Sequence, residues 1–476
     1  MPNFSSFLKH VNQHPPTDSH LQSLINHYCS YLQSLISKEE IEKLAKETLF
    51  IKRSSYRLSG YIFVLALLIS SLDARYYSLE ALCSLIRELD PSIDIQPQSL
   101  MERMNSPEAA IFLEAVEKRG LEKKIQKEFS NLPISILKPF KKLLLQDSTI
   151  LNLHAKLQNF FKGSGGRASK SCLKIDLIFD LKANRFESTI IKDMKQTDQT
   201  LSREITKLVK EDCLIIRDLG YCNLDNLKNI QYKGGYFLSR CRSGLLIYLK
   251  ENSEDPLDLV TYLAKHHPQD AMIDLDLYLT EKKFKVRMVI YRTPQEIADE
   301  RKRKAHAIAK KQGRTLKKNT LELMNFTIFI TNVSRDIWKP EVVGTVYRLR
   351  WTIELIFKNW KSEMNIHYLA GINPNRIRCL IFSKLLAVFI VNQIYQLAVL
   401  YAEKFLAKEL SMNKTFKWLR NNSHIVSLLK NGLNSASGAF FLREISRTMV
   451  RAKRKRKSVL QMVQSGISFN ESFKLV

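Results

Sequence analysis

The 476-residue sequence is poor in the residues that staple small proteins or break chains into loops: it has 7 cysteines, 13 prolines and 15 glycines. The cysteines, Cys29, Cys83, Cys172, Cys213, Cys222, Cys241 and Cys379, form no CxxC and no paired spacing. Neither a zinc site nor a disulfide framework is signalled, and a reducing compartment is expected. Long hydrophobic runs are lacking as well. The longest, "YIFVLALLISSL" from Tyr61 to Leu72, is too short to span a bilayer, and the apolar stretch from Cys379 to Ala402 is interrupted by Lys384, Asn392, Gln393 and Gln396, as a core helix would be. No cationic-then-apolar leader opens the chain, no internal repeat is found, and no membrane partner is expected. Acidic residues are also scarce, 47 Asp plus Glu against 75 Lys plus Arg, for a formal charge of +28. That excess runs along the whole chain, which fits nucleic acid better than a membrane surface as the polyanionic partner.

What is present is globular: 45% hydrophobic and 26% charged residues, in a chain long enough for about three domains, one of which can interrupt another. Residues 1–140 read as helix after helix with apolar spacing of three and four. Within them, "SLEALCSLIRELDPSIDIQPQSLMERMNSPEAAIFLEAV" is compatible with a helix-turn-helix whose second helix, near Gln96, turns Gln98, Ser99, Glu102, Arg103 and Asn105 outward, although any helical bundle supplies helix, turn and helix.

The pattern then changes. "LLLQDSTIL" around Asp147, "CLKIDLIFDL" (Cys172 to Leu181) and "RFESTIIKD" (Arg185 to Asp193) are strand-length and rich in aliphatic or β-branched residues. A helix over Thr200 to Glu211 leads to "CLIIRDLGYCNLDNL", a buried strand ending at Asp218 with a helix after it. Three meandering strands, a helix and a fourth strand open a ribonuclease H-like α/β fold. Residues 235–325 add "GYFLSRC", "GLLIYLK", "MIDLDLYLTE" and "KFKVRMVIY", a β-rich insertion closed by the basic helix or arm "RKRKAHAIAKKQGRTLKKN", Arg301 to Asn319, suited to phosphates or to mere solvation. "FTIFITNV" returns to the core over 326–400. Residues 401–476 are helical and carry a second basic run, Arg451 to Lys457.

The segment "YRLRWTIELIFKNWK", Tyr347 to Lys361, separates its residues by side. At about 100° per residue, Tyr347, Arg350, Glu354 and Lys361 fall within roughly 60° of one another, while Leu349, Ile353, Ile356 and Trp360 gather elsewhere. Alone, the stripe reads as a solvated face with an ordinary i,i+4 ion pair. With carboxylates from two strands it reads differently. Asp147 and Asp218 stand in or at the ends of apolar strands, where an unpaired charge is costly, and a strand-end Asp is often only a turn residue. Asp176 and Asp180 rival Asp147, but neither is followed by a Ser-Thr pair. If the two aspartates meet at the sheet, Glu354 can join them as a third ligand for divalent metal, with Arg350 and Lys361 on substrate phosphates.

The spacing Tyr-x2-Arg-x3-Glu-x6-Lys at Tyr347, Arg350, Glu354 and Lys361 resembles the YREK signature of cut-and-paste DDE transposases from bacterial insertion sequences. "QDST" resembles that family's first-aspartate motif and "IIRDLGY" its second. The resemblance covers Leu143 to Leu369 well and the N-terminal region loosely. It implies Asp147, Asp218 and Glu354 as catalytic, metal-binding residues for two Mg2+ ions (or Mn2+), with Tyr347, Arg350 and Lys361 contacting DNA near the cleaved end. It also implies a cytoplasmic, DNA-associated enzyme, acting as a homodimer on paired terminal inverted repeats and on target DNA. Two departures stand out: Leu219 occupies a position where many relatives have Arg, and the four tryptophans, at 338, 351, 360 and 418, all lie beyond the insertion that in relatives supplies a base-stacking Trp. The rival readings are a non-catalytic DNA-binding protein or inhibitor, a stand-alone nuclease of the same fold, and a basic RNA-binding protein.

Overall fold

The computed structural model describes residues 37–52, 58–123, 135–164, 169–194, 198–241, 244–406, 408–421, 435–451 and 459–465, together with 26, 30, 33–35 and 469. Cys29 and residues 452–457 of the second basic run lie outside the described residues.

Five helices come first: α1 (Lys38–Glu47), α2 (Gly60–Leu72), α3 (Leu79–Leu89), α4 (Pro97–Asn105) and α5 (Pro107–Glu122). Serine starts four of them. The side chains of Ser37, Ser59, Ser78 and Ser106 accept from the amides of Glu40, Ile62, Ala81 and Ala109, donors that a first turn leaves orphaned. Where α1 and α2 meet, Gly60 permits the approach, because a Cβ there would stand 2.6 Å from that of Ala45. On α4, Gln98, Ser99 and Glu102 are exposed as expected, but two residues of the outward set are not. Arg103 turns back to donate to the Phe50 carbonyl at 3.1 Å and lies over the Phe50 ring, and the Asn105 carbonyl accepts from Asn375.

One nine-stranded sheet follows: β1 (Lys142–Asn152), β2 (Cys172–Asp180), β3 (Arg185–Lys192), β4 (Cys213–Arg217), β5 (Tyr236–Arg240), β6 (Ile247–Tyr248), β7 (Met272–Leu279), β8 (Phe284–Arg292) and β9 (Phe326–Thr331), in spatial order β3-β2-β1-β4-β5-β9-β8-β7-β6. β1, β2 and β3 form an antiparallel meander, and β4 lies parallel to β1. The single helix expected over 200–211 is two short pieces, α6 (Asp198–Leu201) and a 3-10 turn at Glu204–Lys207. The crossover that a parallel neighbour requires is made by α7 (Leu224–Tyr232), which leads into β5 beside β4.

The placement of Tyr236–Arg240 differs from the sequence expectation of a separate insertion. This strand pairs with β4 on one side and β9 on the other, so β6 to β8 extend the same sheet. Its alternation explains why: Leu238 enters one core and Phe237 the other, which suits a strand covered on both faces. The basic segment is helical through α9 (Gln295–Lys311), after α8 (Leu259–His266). It turns at Gly313, with φ +63°, and continues in α10 (Lys318–Leu323).

The stripe segment forms α11 (Pro340–Tyr347), a 3-10 turn at Arg348–Arg350 and α12 (Trp351–Ser362). Next comes the 33-residue α13 (Pro374–Leu406), then α14 (Met412–Asn421), α15 (Ser435–Thr448) and α16 (Val459–Gln464). α13 is long and apolar enough to cross a membrane, yet 89% of its most apolar window is buried, against α2, α4 and α5 among others. It is the spine of the larger core, which fills the sheet face also covered by α12; a second core fills the opposite face beneath α7 and α8.

Candidate active site

Strand parity brings the two aspartates together. Leu143 and Leu145 of β1, like Leu214 and Ile216 of β4, face the larger core, while Leu144 and Ile215 face the other. In the parallel register Leu145 pairs with Ile216 and Gln146 with Arg217. One step further along both strands sets Asp147 beside Asp218 on the larger-core face, where α12 lies. β4 ends at Arg217, so Asp218 stands at the carboxyl end of its strand, where backbone pairing stops and side chains become available.

The rivals fall elsewhere by the same rule. Asp176 pairs with Ser148 and therefore points to the opposite face. There it accepts from the Tyr221 hydroxyl at 2.7 Å and the Gln146 amide at 3.0 Å. Asp180 caps the turn after β2, accepting from the amides of Lys182 and Ala183 at 3.0 and 3.2 Å. Arg217 is likewise turned away, donating to the Ser202 carbonyl at 3.0 Å. The exposed Leu219 at the neighbouring position has no group to offer a phosphate.

The helical segment supplies the other partners. Leu349, Ile353, Ile356 and Trp360 are buried as the periodicity predicts, while Trp351, 52% exposed, and Leu355 face outward. The 3-10 turn at Arg348–Arg350 winds the chain more tightly than the uniform helix assumed for the stripe, and turns Tyr347 inward. Tyr347 is only 8% exposed, packs on Phe329 with ring centroids 4.8 Å apart, and donates its hydroxyl to Asp218 at 3.1 Å. Arg350 donates to Asp147 at 3.2 Å and also to Glu354, one turn along. Lys361 is half-buried, with no carboxylate partner among the described residues. All five other candidate residues are thus linked in two chains, Tyr347 to Asp218 and Asp147 through Arg350 to Glu354. The i,i+4 spacing offered the Arg350–Glu354 pair, but periodicity gave no sign of Tyr347 on Asp218 or of Arg350 on Asp147.

Electrostatics show what the cluster needs. Burial pushes the Asp147 carboxyl up to about 6, against the opposing pull of the Ser148 amide, 2.8 Å away, and of Arg350; Asp218 and Glu354 add to the rise. A half-buried carboxylate beside two others is short of positive charge. Three carboxylates with no thiolate or imidazole form a donor set suited to a hard divalent cation. Among the described residues, no three His, Cys, Asp or Glu side chains already converge as a metal cluster. The guanidinium of Arg350 stands between Asp147 and Glu354 and supplies the charge instead.

Residues 138–390, more than half of the chain, match the family model described as a transposase DDE domain. The matched segment holds Asp147, Asp218 and Glu354. Over 425 residues the chain is 29% identical to the transposase for insertion sequence element IS231E of Bacillus thuringiensis subsp. finitimus, covering 85% of this chain and 87% of that protein. It is 26% identical over 394 residues to the transposase for insertion sequence element IS1151 of Clostridium perfringens, covering 78% and 81%. A shorter match, 33% over 113 residues, relates 24% of the chain to 30% of the putative transposase InsL for insertion sequence element IS186A of Escherichia coli (strain K12). The chain belongs to the DDE transposases of bacterial insertion sequences.

Proposed function

We propose that this transposase hydrolyses the phosphodiester at the ends of its element and then joins the freed 3' hydroxyl to target DNA, with Asp147, Asp218 and Glu354 as its catalytic carboxylates. The observation that carries this reading is that Asp147 and Asp218 each follow directly on the last paired residues of β1 and β4, Gln146 and Arg217, with Glu354 tied to Asp147 through Arg350. Both steps are in-line displacements at phosphorus, so one site serves both. Asp147, Asp218 and Glu354 are the residues that would hold two Mg2+ ions, or Mn2+, whose chemistry is to stabilise the attacking and leaving oxygens.

The chain's own side chains do the rest. Tyr347 orients Asp218 and keeps a hydroxyl beside it. Arg350 is committed to two carboxylates, Asp147 and Glu354, and would reach a DNA phosphate only on leaving them. Lys361, partly desolvated and with no carboxylate partner among the described residues, receives a backbone phosphate as a point charge. In this reading the protein is a homodimer on paired terminal inverted repeats, and residues 1–140 engage the DNA end. The ribonuclease H-like core comprises 141–234, with β5 added, and 326–400. The segment between is an extension of its sheet, and 401–476 follow.

The test uses purified protein, Mg2+ or Mn2+, and linear DNA carrying the element's own end, comparing wild type with Glu354→Ala. Metal-dependent nicking at the end, lost in the variant while DNA binding persists, is the expected result. If both proteins bind paired ends and neither cuts with either metal, the chain is a DNA-binding protein without this chemistry. Cutting without strand transfer of a precut end would make it a nuclease.

A further inference from the structure

A cleft open to solvent lies between the end of α2, the start of α3, the loop after α12 and the first turns of α13. Its lining includes Tyr77, Tyr368, Arg376 and Lys384. Lys384 is 4% exposed. Its ammonium donates to the Asn365 carbonyl at 3.1 Å and lies 5.1 Å from the Tyr77 ring, with no carboxylate partner among the described residues. Arg376, eight residues earlier on the same helix, has a buried Nε without an acceptor. The loop is shaped around it: Gly371 has φ +117°, and a Cβ there would stand 3.3 Å from the Arg376 Cδ. The nearby Asp73 is already paired with Arg75 at 2.6 Å.

Two desolvated cations with no carboxylate partner among the described residues are costly unless an anion arrives from outside. Burial alone holds the Lys384 ammonium down, to about 8. Tyr368 stacks on Tyr77 with centroids 5.2 Å apart and planes 19° apart, and remains 53% exposed. Two cations and an exposed aromatic ring lining one pocket offer partners for a phosphate with a base attached. Tyr368 belongs to the loop that directly follows α12, the helix bearing Glu354 and Lys361.

We propose that this pocket binds a phosphodiester of the DNA strand leading away from the cleavage site, with Lys384 and Arg376 on the phosphate and Tyr368 stacked on the adjoining base. The proposal rests on the transposase reading of the α12 stripe. It assigns a base-stacking role to a tyrosine outside the β-rich segment, in a chain whose tryptophans all lie beyond that segment.

The test measures binding of the full chain to duplex DNA carrying the element's end, over a range of salt, for wild type, Lys384→Met, Arg376→Gln and Tyr368→Ala. Losing one phosphate contact reduces the slope of log affinity against log salt by about 0.9, so each cation variant binds more weakly with a shallower slope. Tyr368→Ala, a surface change that leaves the core intact, loses about tenfold in affinity with the slope unchanged. The proposal is overturned if wild type binds the DNA and all three variants match it in affinity and slope. It is also overturned if inorganic phosphate alone raises the melting temperature of wild type and not of Lys384→Met while DNA slopes stay equal, since the site then takes a free anion. A wild-type chain that binds no DNA would overturn the transposase reading as well.

Discussion

Tyr347→Phe separates two roles for the tyrosine of the stripe. The ring is held against Phe329 and beside Arg350, contacts that phenylalanine retains, so folding is little affected. What disappears is one hydrogen bond, from the phenol to Asp218 at 3.1 Å. A hydrogen bond to a charged group contributes about 1.5–3 kcal/mol, or roughly 10- to 150-fold in an equilibrium constant. Removing an outer partner of a metal-binding carboxylate costs about 10- to 100-fold in metal affinity or activity. Because the hydroxyl is buried on Asp218 and not presented to solvent, the loss should fall on the metal requirement. The assay is end nicking titrated with Mn2+, beside fluorescence anisotropy of DNA binding without metal. The expected outcome is a metal midpoint raised about 10- to 100-fold with DNA affinity unchanged. Weaker DNA binding with an unmoved metal midpoint would refute the positioning role and return Tyr347 to the direct DNA contact that family resemblance implies.

Two further outcomes test the fold and the basic surface. Glu117 of α5 is buried against β3, where the Thr189 hydroxyl donates to it, and burial raises its carboxyl from 4.5 to about 7. A raised folded pKa means that the native state binds the extra proton, so wild-type stability falls as pH rises from 4.5 towards 7 and stays at the lower level above that. Glu117→Gln, neutral throughout, should therefore gain about 1–3 kcal/mol over wild type in urea unfolding at alkaline pH, a difference that disappears in acid; a difference independent of pH would refute this account. On α9, Arg303, Lys310 and Lys311 are exposed and make no ion pair among the described residues. Changing all three to Gln should leave thermal stability unchanged and, if every one meets a phosphate, lower the salt slope of DNA binding by about 2.7. An unchanged slope would make that helix a solvated face.

What could be read in the sequence, and what could not, follows the range of the interactions involved. β1, β2, β3 and β4 were legible because apolar runs of strand length report local burial, and Leu349, Ile353, Ile356 and Trp360 because helical period reports one buried side. The identity of the partner strand is a nonlocal fact: Tyr236–Arg240 carries no local mark that it continues the core sheet, and only the pairing with β4 and β9 decides it. The choice between Asp147 and Asp176 has the same character. Each sits in an apolar strand, and the register that sets Asp176 opposite Ser148 is what sends it to the other face. At the stripe, a uniform 100° step described α12 but not Arg348–Arg350, where the tighter turn brings Tyr347 inward onto Asp218. Lys384 did leave a trace, as a cation inside an apolar run. Tyr77, on which its ammonium lies, and Tyr368, stacked on Tyr77, are too distant in sequence for any pattern to join them, so the same residue that marks a core helix in one dimension lines a cleft beside an aromatic pair in three.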